Sequence, residues 1–384
     1  MTDSIFLSNL LKKIAMPVKD LHEKPFDAET LSKLEIFEQY AQAWIPIFTM
    51  IGGQHLHIFD FFAGTGYDKN GVPGSPIRIL KKILEQVSNI VQKDTLISVY
   101  LNEYDSNKFE LMKTACEAFL DQNQELKQVI QVFYSHDSFE IIFEKLIHII
   151  KKFPSLLFLD QNGIKFLADT YLLEFSTHSQ TDFLYFVSSS YFQRFGNTEE
   201  FQKNISLNME EIREQPYRLI HRSLLNQLRK KIPQGSKLKL YPFSIRKQSN
   251  IYGIIFGASH IRAVDKFLGI TWKHNELNGE ANFDLDEDVQ KSQLTLFGSK
   301  PKTKLEAFNE KLREKILSGE LKTNQDIFLF TLEEGHIGSH ASNVVKAMKR
   351  EKLVDFTEKS PLLTYESTFG KYKRCINYIL LSKR

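Results

Sequence analysis

Between residues 57 and 258, short apolar runs alternate with longer stretches of helical spacing, and nothing else constrains the fold as much. The runs are His57–Phe62, Leu96–Leu101, Val129–Tyr134, Leu156–Leu159 and Phe183–Val187, then Lys237–Phe243 and Tyr252–Ala258. Between and after the first five, Pro76–Val91, Ser106–Leu120, Ser138–Lys152 and Ile164–Thr177 read as helices, as does Met209–Lys231 with a break at Pro216. Strands separated by ten or more helical residues need right-handed crossovers, which predicts a largely parallel sheet with helices on both faces. The last two runs are joined by Ser244–Ile251, too short for a helical crossover but long enough for an antiparallel hairpin. Upstream, Leu31, Leu34, Phe37, Tyr40, Trp44 and Ile45 form an apolar stripe on a helix over Ala28–Met50, with Asp27 as N-cap and Gly52 and Gly53 ending it.

A second unit follows a polar stretch. Asn275–Gln290 is acidic and Gly298–Lys304 is loop-like. Then Leu305–Leu317, Thr323–Glu333 and Ser339–Glu351 read as three helices, with a turn at Glu334–Gly338. Leu362–Glu366 and Cys375–Leu381 read as a β-hairpin turning at Phe369-Gly370-Lys371. Three helices and a hairpin at these spacings predict a winged helix-turn-helix. The expected organisation is therefore a helical segment over 1–55, an α/β domain over 56–280, a linker over 281–304 and a winged helix over 305–384. Five parallel strands closed by a hairpin form the strand plan of the Rossmann-like class I methyltransferases, and other doubly wound enzymes share most of it.

Composition excludes several classes. The chain has 384 residues, 42% of them hydrophobic, with a mean hydropathy of −0.29. Its apolar runs, such as Ile251–Ala258, stop far short of the roughly 20 residues a membrane span needs. Lys12 and Lys13 sit inside the N-terminal apolar stretch, whereas a secretory signal carries its charge ahead of it, so a cytoplasmic protein is expected. Cys116 and Cys375 alone cannot build a disulfide framework, a four-cysteine zinc site or a cysteine-held iron–sulfur cluster, and no metal is expected. The last 84 residues hold 16 Lys and Arg against 11 Asp and Glu, while the first 300 hold 34 against 36. The basic excess thus lies in the winged-helix unit, as at a nucleic-acid-facing end or on a plain solvated surface.

The first strand runs into Phe59-Asp60-Phe61-Phe62-Ala63-Gly64-Thr65-Gly66. A glycine turn between strand and helix lets backbone N–H groups approach a ligand closely. The turn lacks the phosphate-loop pattern and the full GxGxxG of dinucleotide sites. Its form resembles the S-adenosylmethionine-binding loop of class I methyltransferases. Glu103, just past the second strand, is placed to accept ribose hydroxyls. Asp137, in the turn after the third, suits the adenine amine or, equally, a helix cap before Ser138. Asp160 ends the fourth strand, where amino methyltransferases position the target amine. It suits a cap as well as a catalytic or positioning carboxylate. No Pro-Cys dipeptide occurs, which argues against a cysteine nucleophile on cytosine.

In the C-terminal unit, Ser339, His340, Asn343, Lys346, Lys349 and Arg350 form the expected polar face of a recognition helix. Lys371, Lys373 and Arg374 stand at the expected hairpin tip, where a wing meets phosphates. A winged helix used for protein contact is the alternative. Gln293-Leu294-Thr295-Leu296-Phe297 resembles the peptide by which bacterial proteins dock on the replication sliding clamp, or else packs back on the domain.

Taken together, the chain resembles the three-Cys-motif partner proteins from about residue 20 to 356. The resemblance rests on Tyr40-Ala41-Gln42-Ala43-Trp44, the Phe59–Gly66 segment, Gly74-Ser75-Pro76 and Leu159-Asp160-Gln161-Asn162-Gly163. Thr331-Leu332-Glu333-Glu334-Gly335-His336 and Ser339-His340-Ala341-Ser342-Asn343-Val344-Val345 complete it. Two positions depart. Thr65 stands where the family has proline, and Gln161-Asn162 stands where it has Pro-aromatic. The resemblance implies an S-adenosylmethionine-binding, methyltransferase-like domain acting on or with nucleic acid, beside a radical-SAM-like three-cysteine partner. A non-catalytic DNA-binding accessory on the same scaffold is the alternative.

Overall fold

The computed structural model describes residues 25–161, 169–189, 205–248, 250–293 and 301–381, with 196, 198, 199 and 202 between them. The chain opens with α1 (Ala28–Thr49), capped by the Asp27 carboxylate, which accepts from Thr30 N–H. Six elements follow: β1 (His55–Asp60), α2 (Ser75–Leu84), α3 (Val87–Gln92), β2 (Leu96–Asn102), α4 (Ser106–Gln122) and β3 (Ile130–Ser135). Next come α5 (Phe139–Lys152), β4 (Ser155–Leu159), α6 (Asp169–Phe175), β5 (Thr181–Ser188), α7 (Met209–Glu214) and α8 (Ile220–Lys231). β6 (Lys239–Lys247), β7 (Asn250–Ala258) and α9 (Ile261–His274) complete the α/β part.

The seven strands form one sheet in the order β3-β2-β1-β4-β5-β7-β6. The first five pair in parallel and β7 runs antiparallel to both neighbours. The alternation along each strand splits the core. Leu56, Ile58, Leu156 and Phe158 point to one face, where Phe37 of α1 stacks on Phe158 at 4.1 Å. Phe59, Phe61, Leu157 and Leu159 point to the other, where Phe61 meets Phe139 of α5 edge-on at 5.2 Å. Each such ring removed from water contributes about 1.5–3 kcal/mol.

The sheet differs from the sequence reading at its closing hairpin. β6 and β7 extend to Lys247 and Asn250, which pair with each other. The polar letters of Ser244-Ile245-Arg246-Lys247 conceal a strand whose Ser244 and Ile245 are both buried. The expected single helix over Pro76–Val91 is two, parted at Glu85 and Gln86.

The polar stretch from Asn275 begins as packed structure. Asn278 is buried and its Oδ1 accepts from the N–H groups of Glu280 and Ala281. After α10 (Asp288–Gln293) come α11 (Lys304–Leu317), α12 (Asn324–Glu333) and α13 (Gly338–Arg350). The expected hairpin is a correction. Val354–Asp355 (β8) pairs with Ile379–Leu380 (β9), and Tyr365–Thr368 forms a short helix, α14, behind a Thr364–Ser367 capping box. Two-residue strands leave no alternation to read, and the apolar letters ahead of the capped turn imitate a strand. Lys371, Lys373 and Arg374 therefore stand on the loop between α14 and β9, not at a hairpin tip. Among the described residues, no helix is long and apolar enough to cross a membrane.

Candidate functional site

In the order β3-β2-β1-β4-β5 the direction of strand progression reverses between β1 and β4. Open α/β sheets bind ligands outside the carboxyl ends of the strands at such a switch point. A cavity of about 640 Å³ lies there, lined by the β1–α2 turn, the ends of β2 and β4, and the start of α5. That is within the usual range for small-molecule sites.

The turn is held in shape by the β2 end. Gly64 N–H donates to Glu103 Oε2 at 2.9 Å, and Ala63 N–H donates to the Asn102 carbonyl at 2.9 Å. Glu103 Oε1 accepts from Asp105 N–H at 2.9 Å, so its carboxylate is fixed in direction at the cavity wall. Thr65 Oγ1 donates to the Tyr67 carbonyl. Gly66 has φ of +82°, and a Cβ there would come within 2.9 Å of the Ala115 Cβ. This is a turn that only glycine fills without strain.

Asn102 was missed in the sequence, although a polar residue closing an apolar strand was the available sign. It is buried, donates to the carbonyls of Phe61 and Asp137, and accepts from Ser135 Oγ at 2.7 Å. One amide thus locks together the ends of β1, β2 and β3.

Asp60 is fully buried at the end of β1. Its Oδ1 accepts from Phe62 N–H at 3.3 Å, while Oδ2 has no hydrogen-bond partner among the described residues. Burial pushes this carboxyl up to about 7, against the pull of Ser75 and Phe62, with the charges of Asp160 and Glu103 adding to the push. Asp60 itself is not among the residues that line the cavity, which begins at the next residue, Phe61.

Asp160 lines the cavity from the β4 end, and Lys33 Nζ of α1 lies 2.5 Å from its Oδ2. Lys33 also sits over the Phe186 ring at 4.3 Å. Phe26, Thr30, Lys33 and Leu34 make α1 and its approach one wall of the cavity, a role the sequence did not suggest. Gln161 is buried beside it, and Asn162 and Gly163 fall outside the described residues. Asp137 stands apart. Its carboxylate pairs with Lys145 at 2.9 Å, and Ser138 and Phe139 line the cavity in its place.

In the C-terminal unit, Ser339, Asn343, Lys346 and Arg350 are exposed at one-turn intervals along α13, while Ala341, Val344, Val345 and Met348 fill the core. Two expected members leave this stripe. His340 packs edge-on against Trp272 at 4.4 Å, with its Nδ1 3.1 Å from that of His336. Burial, then Lys304, pushes the His340 imidazole down to about 4, so it is neutral at pH 7. Lys349 Nζ is bound to the Asp355 carboxylate and the Phe356 carbonyl, bracing β8. Lys371 and Lys373 are exposed, and Arg374 pairs with Glu358 at 3.3 Å. Of the Gln293–Phe297 motif, residues 294–297 fall outside the described residues.

A family model described as the GMT-like wHTH domain matches residues 282–361, which places a winged helix-turn-helix in this part of the chain. Among solved structures, protein LPL1258 from Legionella pneumophila str. Philadelphia 1, assigned to DUF519, aligns at 8% identity and a TM-score of 0.33. The alignment covers 59% of this chain and 85% of that one. No curated protein matches the chain.

Proposed function

We propose that the α/β domain binds S-adenosylmethionine in the switch-point cavity and that the winged helix binds DNA, making the chain a methyltransferase-like protein that acts on or with nucleic acid. The observation that carries the first half is the Gly64–Glu103 hydrogen bond at the mouth of β1 and β2, inside a cavity of suitable size. The sheet order with its reversed β7 supports it, as the strand plan of class I methyltransferases. Residues present fit the cofactor: the Ala63–Gly66 turn suits its methionine portion, Glu103 has lone pairs left for ribose hydroxyls, and the buried Asp60 carboxylate beside the lining Phe61 supplies negative charge toward its ammonium end. Phe139, rather than Asp137, lines the cavity and offers an aromatic face to the adenine ring.

When bound, the cofactor supplies an electrophilic methyl group. Asp160 accepts a hydrogen from an amine or hydroxyl nucleophile and so orients its lone pair, and Lys33 fixes the direction of that carboxylate. The same ion pair favours a second reading, a cofactor-binding accessory without transfer, because it occupies the carboxylate. Resemblance to the three-Cys-motif partner proteins extends either reading to a radical-SAM-like partner.

Calorimetry with S-adenosylmethionine tests the site. Glu103→Ala removes hydrogen bonds of roughly 1–3 kcal/mol, so binding should weaken about 5- to 150-fold. Asp160→Asn should leave binding nearly intact. No heat with the intact chain sinks the cofactor reading. Heat without methyl transfer to DNA, RNA or protein from a cell extract supports the accessory.

A further inference from the structure

A groove of about 710 Å³ runs along the seam between the two units, floored by α1 and α9 and closed at one end by the start of α13. Lys266, Gly269 and Lys273 line it from α9 and are all exposed. Their spacing of three and four residues puts them on one helix face. Gln39 and Gln42 of α1 form the opposite wall, and Ser339 stands at the end. Ser339 is also the first residue of the exposed α13 stripe, so groove and stripe form one continuous surface.

We propose that this groove carries the phosphate backbone of the DNA held by α13, with Lys266 and Lys273 as phosphate contacts supplied by the α/β domain. The inference rests on the DNA-binding reading above and names the path the nucleic acid takes beyond the winged helix. Helix-turn-helix proteins place the N-terminal residues of the recognition helix against base edges. Ser339 is that N-terminal residue, so the adjoining strand passes over the neighbouring wall. Lysine and glutamine are common partners of phosphate oxygens. Asp265 is the groove's acidic member. It is half-buried, and Lys266 and Arg262 lie beside its carboxylate and offset its repulsion of a phosphate. The other charges facing it are Glu366 of α14 and the Arg262 that pairs with Glu366. Gly269 leaves the floor between the lysines open: a Cβ built there meets nothing within 4 Å.

The test is fluorescence anisotropy of the full chain on a labelled 30-base-pair duplex over a series of salt concentrations. Lys266→Gln with Lys273→Gln should lower the log–log salt slope by about 1.8, since each lost phosphate contact removes about 0.9. Gly269→Glu should weaken binding while leaving the melting temperature unchanged or higher, because its side chain has room and glycine is the poorer helix former. A slope unchanged in the double variant, or full binding by Gly269→Glu, overturns the groove assignment. If neutralising Lys371 and Lys373 still weakens binding in that case, the winged-helix reading survives without it. If the intact chain binds no duplex at any salt, both fall together, and a crosslinked protein at Gly269→Cys would mark the groove as a protein interface instead.

Discussion

On the cofactor reading, Asp60 couples a proton to the ligand. Burial pushes its carboxyl up to about 7, against about 3.9 in an unfolded chain. The folded state therefore holds the extra proton between those values, and the stability of the ligand-free chain falls as pH rises through this window. A cationic ammonium in the cavity beside this carboxylate reverses the preference by favouring the ionised form. Affinity for S-adenosylmethionine should thus drop as pH falls below about 7, approaching tenfold per unit, with a proton released on binding at pH 6. Calorimetry in two buffers of different ionisation heat measures that proton. Asp60→Asn should abolish the release. A binding heat independent of buffer in the wild-type chain at pH 6 would show that the ammonium lies elsewhere.

Among the elements, α13 sorts its cations by what they touch. Lys346 and Arg350 are exposed on the stripe, whereas Lys349 is spent on Asp355 and the Phe356 carbonyl. Substituting Asn343 or Ser339 with alanine should change sequence preference more than overall affinity, because base-edge contacts specify and phosphate contacts position. Binding-site selection with each variant reads this out, and a uniform loss across sequences would refute it. Neutralising Lys371, Lys373 and Arg374 should instead flatten the salt dependence, with less from Arg374 because Glu358 already holds it. The parallel strands and the Ala63–Gly66 turn were legible because buried strands are apolar throughout and the turn needs glycine. Helix α9 carries no expectation from the sequence, although Ala263, Val264, Phe267, Leu268, Thr271 and Trp272 give it a full buried face. The wing was misread because two-residue strands are set by tertiary pairing, which carries no local period. Lys33 escaped for the same reason: its place at the site depends on how α1 crosses the sheet.

At the scale of the molecule, the α/β part and the winged helix share one hydrophobic cluster, which runs from Trp44 and Phe256 through Trp272 to Phe308 and Phe328. Tyr241 OH donates to the Leu332 carbonyl at 2.9 Å, and Trp272 Nε1 donates to the Gly335 carbonyl at 2.8 Å. A polar bolt crosses the same seam. Glu280 is buried and accepts from Arg222 of α8 and from Lys304 at the start of α11, 2.8 Å away. Burial alone would raise its carboxyl, but Lys304 and Arg222 pull it down to about 2. With the folded value below the unfolded value of about 4.3, this group contributes stability that is present above about pH 4.3 and lost as pH falls toward 2. Calorimetric melting of the full chain at pH 7 should therefore show one transition for both units, since neither can leave without exposing the common core. Glu280→Gln removes the charge shared by Arg222 and Lys304, while Arg222 keeps Asp286 and Lys304 keeps the Asn278 carbonyl, and should cost about 1.5–3 kcal/mol at pH 7. The variant should also lose less stability than the wild type between pH 4.3 and 2. Two separate transitions in the wild-type chain at pH 7 would show that the seam does not couple the units, and would leave the groove beside Ser339 free to open when DNA arrives.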